Sequence, residues 1–341
     1  MLAILLLLLL ICLHHSMVSA FSSLTPGFYS ETCPSAESIV REVIHRNIRK
    51  DPRSAASVMR LQFHDCFVNG CDGSVLLDDT PTMLGEKNSL SNINSLRSYH
   101  VIDEVKEVLE MGCPGVVSCA DIIVMAARDA VVLSGGPSWE VKLGRKDCLR
   151  ASQEDANVIM PSPRQNAPNL IELFRTFNLS VTDLVALSGS HTIGYGRCFS
   201  VMHRLYNQSD TGQPDDHMDE KYRDMLDGVC PINGDENVTC GLDGTPFDFD
   251  NRYFKDLAQL KGFLNSDQDL FSGKVDDTKE LVRKFAENEE DFFRAFAEGM
   301  VKMGDLQSGK PTGHRKNCRV INKNEAFIFK NYHHGRFILQ T

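Results

Sequence analysis

Eleven cysteines constrain the folding of this 341-residue chain more than any other feature. One of them, Cys12, lies within a twelve-residue apolar run, LAILLLLLLICL, at positions 2–13. If that run is removed as a leader, ten cysteines remain, and an even number in a secreted chain predicts disulfide bonds. Because ten cysteines can pair in hundreds of ways, the count predicts a cross-linked fold without giving its connectivity.

The apolar run has the properties of a secretory signal peptide. It is too short to span a bilayer, and the small residues Val18-Ser19-Ala20 follow where a signal peptidase cleaves. We therefore predict a signal peptide at residues 1–20, although no Lys or Arg precedes the run; the alternative is a buried N-terminal helix. Three Asn-x-Ser/Thr sequons suit the same compartment as glycosylation sites: Asn178, Asn207 and Asn237.

Composition places the chain among ordinary soluble globular proteins, with 42% hydrophobic and 24% charged residues. The formal net charge of −10 argues against a nucleic-acid partner, and no basic patch suggests one. The length allows one large domain or two modest ones.

Most segments after the leader show helical periodicity. Val40, Ile44 and Ile48 recur four residues apart, and residues 119–133 form an apolar stretch that stops at Gly135-Gly136-Pro137. Alternating strand patterns are nearly absent. We therefore predict a mainly α-helical protein of about ten helices, joined by loops rich in Pro, Gly, Asn and Asp.

Residues 60–74, RLQFHDCFVNGCDGS, carry the first candidate site. Arg60 and His64 are four residues apart, so on a helix they share one face, with Phe63 beside them. A histidine can move a proton near neutral pH, and an arginine stabilises a developing anion while keeping its own proton. The alternative is a histidine with a structural role on a mixed helix face.

The loop that ends this stretch offers hard oxygen ligands on Asp65, Asp72 and Ser74, of the kind that calcium prefers. Asp65 follows His64 directly and would point about 100° away from it on a helix. One side chain can then face a pocket while the other faces a metal ion. Two cysteines five residues apart could close the loop around that ion; the alternative is a disulfide-stapled polar turn without a metal.

A second histidine, His191, lies in DLVALSGSHTIGYGRC at positions 183–198, where an apolar helix ends in Ser-Gly-Ser. A histidine with one free ring nitrogen is a good axial ligand for haem iron. Histidine-bearing helices in separate halves of the chain suggest a cofactor between them. The alternative for His191 alone is a core histidine with satisfied hydrogen bonds.

These segments, together with VSCAD at 117–121, GGPSW and LGRKD within 135–147, and NSDQDLF at 265–271, resemble the secretory plant haem peroxidases of class III. The resemblance covers about residues 21–322, and its motifs occur in the family's order. It implies one mainly α-helical haem peroxidase domain at residues 21–322, with distal and proximal halves around one haem b. It also implies that H2O2 is reduced to water while phenolic donors are oxidised in successive one-electron steps.

The same resemblance implies roles on the two faces of the haem. His64 would be the distal acid–base residue and Arg60 the distal arginine, while Asn92, in SNINS, would accept a hydrogen bond from His64. His191 would be the proximal iron ligand, and Asp267, in SDQ, would accept a hydrogen bond from it.

Further positions follow from the resemblance alone. Pro161, in MPSP, would be the proline of the substrate channel. One calcium ion is implied at Asp65, Val68, Gly70, Asp72 and Ser74, with Glu86 as an indirect support. A second calcium ion is implied at Thr192, Thr245, Asp248 and Asp250. Four disulfides are implied between Cys33 and Cys113, Cys66 and Cys71, Cys119 and Cys318, and Cys198 and Cys230.

Two features depart from the family's pattern. The family often has an aspartate three residues before the threonine of its Thr-Pro pair, but Leu242 stands at that position here. We therefore expect Asp243, two residues before Thr245, to be a calcium ligand. Cys148 and Cys240 have no partner among the four disulfides, and we hypothesise that they form a fifth; the alternative is two independent free cysteines.

Residues 323–341 extend past the family's usual end. They are interpreted either as a C-terminal propeptide for vacuolar sorting or as a disordered extension. The predicted location is therefore the extracellular space and cell wall, with the vacuole as the alternative. The predicted protein is a monomer without a membrane span, and its partners are H2O2 and small phenolic donors.

The main functional prediction is a haem peroxidase, and the family implies roles in lignification, phenolic oxidation, H2O2 removal and the oxidative stress response. The alternative is a non-catalytic haem- or calcium-binding protein of the cell wall on the same scaffold. A pure binding role would not require the full set of site residues, Arg60, His64, Asn92, His191 and Asp267. The intracellular ascorbate peroxidase class is disfavoured by the leader, the cysteines and the calcium ligands.

Overall fold

A computed structural model describes residues 24–309 and 312–322 of the chain. The predicted signal peptide at residues 1–20 and the extension at residues 323–341 lie outside the described residues. Within the described ranges, no helix combines the length and apolarity that crossing a bilayer requires.

The mainly helical fold is confirmed, with thirteen α-helices among the described residues. They are α1 Ala36–Lys50, α2 Ser54–Phe67, α3 Tyr99–Gly112, α4 Cys119–Leu133, α5 Gln153–Ile159, α6 Ala167–Thr176, α7 Val181–Ser188, α8 Cys198–Tyr206, α9 Glu220–Val229, α10 Arg252–Ala258, α11 Asn265–Ser272, α12 Asp276–Glu287 and α13 Glu289–Gly304. The sequence indicated about ten helices. Among the additional ones, α5 and α11, with seven and eight residues, are too short to show a clear apolar stripe.

Helix α4 is the centre of the distal half, and it is buried along almost its whole length. It begins where the Ser118 hydroxyl accepts a hydrogen bond from the Asp121 amide at 3.1 Å, a side-chain N-cap. It ends as predicted before Gly135, whose φ of 97° lies in the region that glycine favours. Helices α1 and α2 both pack against α4, so α4 fixes the position of α2, which carries the first candidate site.

The proximal half is built from α7, α10, α12 and α13, which pack against one another around a cluster of aromatic rings. The ring of Phe292 lies within 6 Å of the rings of Phe254, Phe285 and Phe296. These rings belong to the same buried apolar core as α4, so both halves share one core. A smaller cluster joins α8 to α9 beneath the Cys198–Cys230 disulfide.

The described strands are short and form two separate antiparallel ladders. Strand β1 (Asp147–Cys148) pairs with β4 (Thr312–Gly313), and β2 (Tyr195–Arg197) pairs with β3 (Thr239–Gly241). Neither ladder belongs to an extended sheet, which agrees with the lack of alternating patterns in the sequence.

The structure contains the four disulfides that the resemblance implies, Cys33–Cys113, Cys66–Cys71, Cys119–Cys318 and Cys198–Cys230. The hypothesised fifth disulfide between Cys148 and Cys240 is wrong. Cys148 lies in the β1–β4 ladder, where its amide donates to the carbonyl of Asp72, whereas Cys240 lies opposite Gly196 in the other ladder. The two cysteines therefore belong to different ladders, and no bond joins their sulfur atoms.

The C-terminal segment closes the loop that follows α2. The amide of Cys71 donates to the carbonyl of Leu306 at 2.9 Å. The buried guanidinium of Arg315 donates to the carbonyl of Gly73 at 2.6 Å and to that of Cys318 at 2.9 Å. Residues from the far end of the chain therefore hold the loop beside the first candidate site.

Candidate functional site

Helix α2 places Arg60, Phe63 and His64 together near its C-terminal end, as their spacing predicts. His64 is buried, with 2% of its surface exposed, while Phe63 is half-buried and meets its ring edge-on at 5.3 Å. The Arg60 Nε–H donates to His64 Nε2 at 3.0 Å. His64 Nε2 therefore accepts this bond with its lone pair, and the ring proton belongs on Nδ1.

Asn92 holds that tautomer in place. Its side-chain oxygen Oδ1 lies 2.6 Å from His64 Nδ1 and accepts the Nδ1–H. The Asn92 amide group in turn donates to the carbonyl of Glu86 at 2.9 Å, which orients Oδ1 towards the histidine. A fixed Nδ1–H leaves Nε2 as the basic nitrogen of His64.

Burial, and next the nearby Arg60 charge, lower the pKa of His64 well below its usual value of 6.5. The Asn92 hydrogen bond opposes this shift but does not cancel it. His64 is therefore neutral at physiological pH and able to accept a proton.

Arg60 is held by two serines rather than by an acid. Its guanidinium donates to the Ser95 hydroxyl at 2.6 Å and to the Ser91 carbonyl at 3.2 Å. Burial lowers the pKa of Arg60 to about 10, which leaves it a cation at neutral pH. No carboxylate of the described residues forms an ion pair with it, so its charge remains available to an anion in the pocket.

The second histidine lies on a tight 3-10 turn, Gly189–Thr192, that continues α7. Gly189 is required there, since a Cβ atom at that position would lie 2.4 Å from the ring of Phe292. His191 Nδ1 lies 2.8 Å from Oδ1 of the buried Asp267 on α11. The carboxylate accepts the Nδ1–H, so the other ring nitrogen, Nε2, carries a free lone pair.

His191 fits the requirement for an axial haem ligand. Its side chain is 36% exposed, although Gly189 and Thr192 beside it are buried, and none of the described residues bonds to Nε2. Histidines that bind a metal ion typically donate a hydrogen bond from one ring nitrogen and bind the metal with the other.

The predicted distal calcium residues lie at the end of α2 and in the buried polar loop that follows it. The Asp65 carboxylate accepts from the amides of Gly73 at 2.9 Å and Val75 at 3.4 Å. The Oδ2 atom of Asp72 and the Oγ atom of Ser74 are buried without a hydrogen-bond partner among the described residues.

Burial raises the pKa of both distal carboxyls, Asp65 and Asp72. The negative charge of Asp72 raises the pKa of Asp65 further. Two adjacent buried carboxylates, with the Asp72 Oδ2 atom unpartnered among the described residues, suit a divalent cation of the calcium type. Val68 and Gly70 lie in the same loop, and the buried Glu86 begins a 3-10 turn that packs against the turn at Ser74–Leu76.

The predicted proximal calcium residues also converge. The Thr192 hydroxyl lies 2.9 Å from Asp243 Oδ2 and 3.1 Å from Asp250 Oδ1, and the Thr245 hydroxyl lies 3.2 Å from Asp250 Oδ1. Burial raises the pKa of Asp243 to about 7. No Lys or Arg in the described ranges forms an ion pair with either carboxylate, so the donor set suits a bound cation. Asp248 is exposed, and its amide donates to the Thr245 carbonyl at 3.0 Å.

Pro161 follows α5 and is half-buried. The segment after it is fastened to α11, because the carbonyl of Pro163 accepts from the Ser266 amide at 3.0 Å. Pro161 therefore lies on a connection that ties the distal α5 to the helix of Asp267. The three predicted glycosylation sites are all exposed: Asn178, Asn207 and Asn237.

Sequence reasoning missed three polar partners of the site, Ser91, Ser95 and Tyr253. The Tyr253 hydroxyl donates to Asp267 Oδ1 at 3.0 Å. A signal for Tyr253 was present, since a tyrosine on the buried face of a helix needs a partner for its hydroxyl. The serines gave no such signal, because serine is common in exposed loops.

Comparisons with known proteins agree with this geometry. The sequence profile of the peroxidase family matches residues 40–288. The chain is 66% identical over 301 residues to Peroxidase 17 of Arabidopsis thaliana, covering 88% of this chain and 91% of that protein. It is 47% identical over 322 residues to a peroxidase of Armoracia rusticana, covering 92% of this chain and 91% of that protein.

Proposed function

This chain belongs to the secretory plant peroxidases of class III and is a haem peroxidase, and from that premise we propose which of its residues perform the reaction. One haem b would bind between the α2 segment and the turn that carries His191. The substrates would be H2O2 and small phenolic donors.

The proposal rests on one observation: both histidines carry their ring proton on Nδ1. Asn92 fixes the proton of His64 on Nδ1, and Asp267 fixes the proton of His191 on the same atom. Nε2 is therefore the unprotonated nitrogen of both rings. In His64 it is buried and accepts from Arg60, whereas in His191 it is partly exposed and bonds to none of the described residues. A haem peroxidase requires one histidine nitrogen that accepts a proton and another that binds the iron.

When bound, haem b would supply the redox chemistry by which two oxidising equivalents of H2O2 are used one at a time to oxidise the donors. His64 Nε2 accepts a proton from H2O2 and returns it to the oxygen that leaves as water. The imidazole is neutral beforehand because burial depresses its pKa. Asn92 keeps the ring in the reactive tautomer throughout.

Arg60 stabilises the negative charge that develops when the O–O bond breaks. Its cation is held by Ser91 and Ser95 and is not neutralised by a described carboxylate. Asp267 makes His191 a stronger electron donor, since a hydrogen-bonded carboxylate raises the basicity of the ligand that it orients.

Two calcium ions would support the two histidine segments. The distal ion would be held by Asp65, Asp72 and Ser74, with the carbonyls of Val68 and Gly70, and Glu86 would act indirectly. The proximal ion would be held by Thr192, Asp243, Thr245 and Asp250, with the carbonyl of Asp248. Asp65 adjoins His64 and Thr192 adjoins His191, so each ion would fix one histidine.

Donors would reach the site past Pro161, and the chain would work as a monomer. Family membership and four disulfides are consistent with secretion. We propose the cell wall as its place of action and Asn178, Asn207 and Asn237 as glycan acceptors, with the vacuole as the alternative if residues 323–341 act as a sorting signal.

An absorbance spectrum of the secreted protein, followed by addition of H2O2 and guaiacol, tests the proposal. We expect a Soret band and guaiacol oxidation. His191→Ala should lose the Soret band, whereas His64→Ala should keep it and react with H2O2 orders of magnitude more slowly. A wild-type protein without a Soret band, or a His64→Ala variant with an unchanged rate, would refute the assignments.

A further inference from the structure

The carboxylate of Asp267 is shared between two donors. Its Oδ1 atom accepts from His191 Nδ1 at 2.8 Å and also from the Tyr253 hydroxyl at 3.0 Å. The other oxygen, Oδ2, accepts from the amide of Leu264 at 3.1 Å. The histidine and the phenol therefore bond to the same atom.

Tyr253 is built into this arrangement by its surroundings. It lies on α10 with 2% of its surface exposed, and its ring meets the imidazole of His191 edge-on at 6.2 Å. Burial, and next the charge of Asp267, raise the pKa of Tyr253 well above its usual value. The hydroxyl therefore stays protonated and acts as a donor to Asp267.

Two hydrogen bonds to one oxygen compete for its charge. An acceptor whose charge is already partly satisfied by one donor pulls less strongly on the proton of the next. Without the phenol, Oδ1 would draw the Nδ1–H of His191 more strongly and make the imidazole more like an imidazolate. A more basic imidazole stabilises ferric over ferrous iron and binds the iron more strongly.

We propose that Tyr253 is a positioning residue that limits how far Asp267 polarises His191 and thereby sets the electron donation of the proximal ligand. This inference rests on the proposed role of His191 as the iron ligand. A tyrosine that only fills space would stabilise the fold without changing the electronic state of the iron, and this difference can be measured.

The first test is Tyr253→Phe, which removes the hydroxyl and keeps the ring. In the haem-loaded protein we expect the ferric/ferrous midpoint potential to fall and the iron–histidine stretching frequency of the ferrous form to rise. A tenfold change in the equilibrium would correspond to about 59 mV for one electron. Tyr29→Phe is the matched control, because it removes a buried hydroxyl that donates to Asp121 at 2.7 Å in the distal half.

A second variant strengthens the hydrogen bond to Asp267 instead of removing it, and it provides a test even if Tyr253→Phe does not fold. Site-specific 3-fluorotyrosine at position 253 is a stronger donor, so it should raise the potential and lower the stretching frequency. Opposite shifts in the two variants, with Tyr29→Phe unchanged, would support the inference. Shifts in the same direction, or none, would overturn it.

Failure of the proposed function would look different. If His191→Ala kept the iron–histidine band, His191 would not be the ligand, and this inference would fall with that assignment. If His191→Ala lost the band but both Tyr253 variants matched wild type, the proposed function would stand and only the role of Tyr253 would be refuted.

Discussion

Replacing Asn92 by alanine tests how much of the peroxide chemistry depends on the orientation of one imidazole. The substitution removes the acceptor that lies 2.6 Å from His64 Nδ1 and leaves Arg60 and His64 in place. Only the Arg60 bond would then keep the ring proton on Nδ1, and His64 would lose the partner that stabilises its protonated form.

The size of the effect follows from the change in charge of His64. A hydrogen bond between neutral groups contributes about 1 kcal/mol, and one to a charged group about 1.5–3 kcal/mol. His64 becomes charged only when it takes the proton, so its bond to Asn92 strengthens by roughly 0.5–2 kcal/mol during the step. At about 1.4 kcal/mol per tenfold, the rate should fall roughly 2- to 30-fold.

The pH dependence of the reaction with H2O2 provides a second, independent test. Burial depresses the pKa of His64, so in the wild type the reaction with H2O2 should persist below pH 6.5 and decline only in more acidic solution. The Asn92 bond raises that pKa. Its removal should therefore move the acidic limb of the profile to still lower pH.

Stopped-flow absorbance of the haem band after mixing with H2O2 measures both quantities. Asn47→Ala is a suitable control, because Asn47 is also buried and donates to the Val43 carbonyl and the Glu104 carboxylate away from the site. An Asn92→Ala rate within twofold of wild type, or an acidic limb displaced to higher pH, would refute the reasoning.

Three further predictions concern the support of the site. Chelation of calcium should slow the reaction with H2O2 while the haem content stays constant, and added calcium should restore it; a fully depleted protein at full rate would contradict this. Arg60→Leu should slow stopped-flow H2O2 reduction by about 100-fold, and Arg60→Lys by less, because lysine keeps the charge but not the planar fork; equal rates in both variants would count against a role for charge. Thiol titration under denaturing, non-reducing conditions should find Cys148 and Cys240 reactive; no reactive thiol would mean that they pair after all.

The sequence predicted those parts of the site that depend on local geometry. Two residues four positions apart on a helix must share a face, so Arg60 and His64 could be placed together before the structure was known. The expectation that Asp243 would reach the threonines required only a small change of loop path, and the structure places its carboxylate 2.9 Å from the Thr192 hydroxyl.

The parts that escaped prediction depend on long-range packing. Tyr253 meets Asp267 only because α10 and α11 pack side by side, and no pattern within either helix specifies that contact. Cys148 and Cys240 looked like a pair because both were left over. Their separation, however, is decided by two different ladders, one that pairs Cys148 with Thr312 and one that pairs Cys240 with Gly196.

The closure of the loop after α2 by the C-terminal segment has a consequence for how the protein is made. Gly73 and its partner Arg315 are 242 positions apart, so at 5–20 residues per second the ribosome needs about 12–48 s to supply the second after the first. During that interval the acid–base helix exists without the segment that holds its end. A premature stop after Asp267 would spare every residue assigned to the reaction and still deprive the nascent enzyme of a fixed active site.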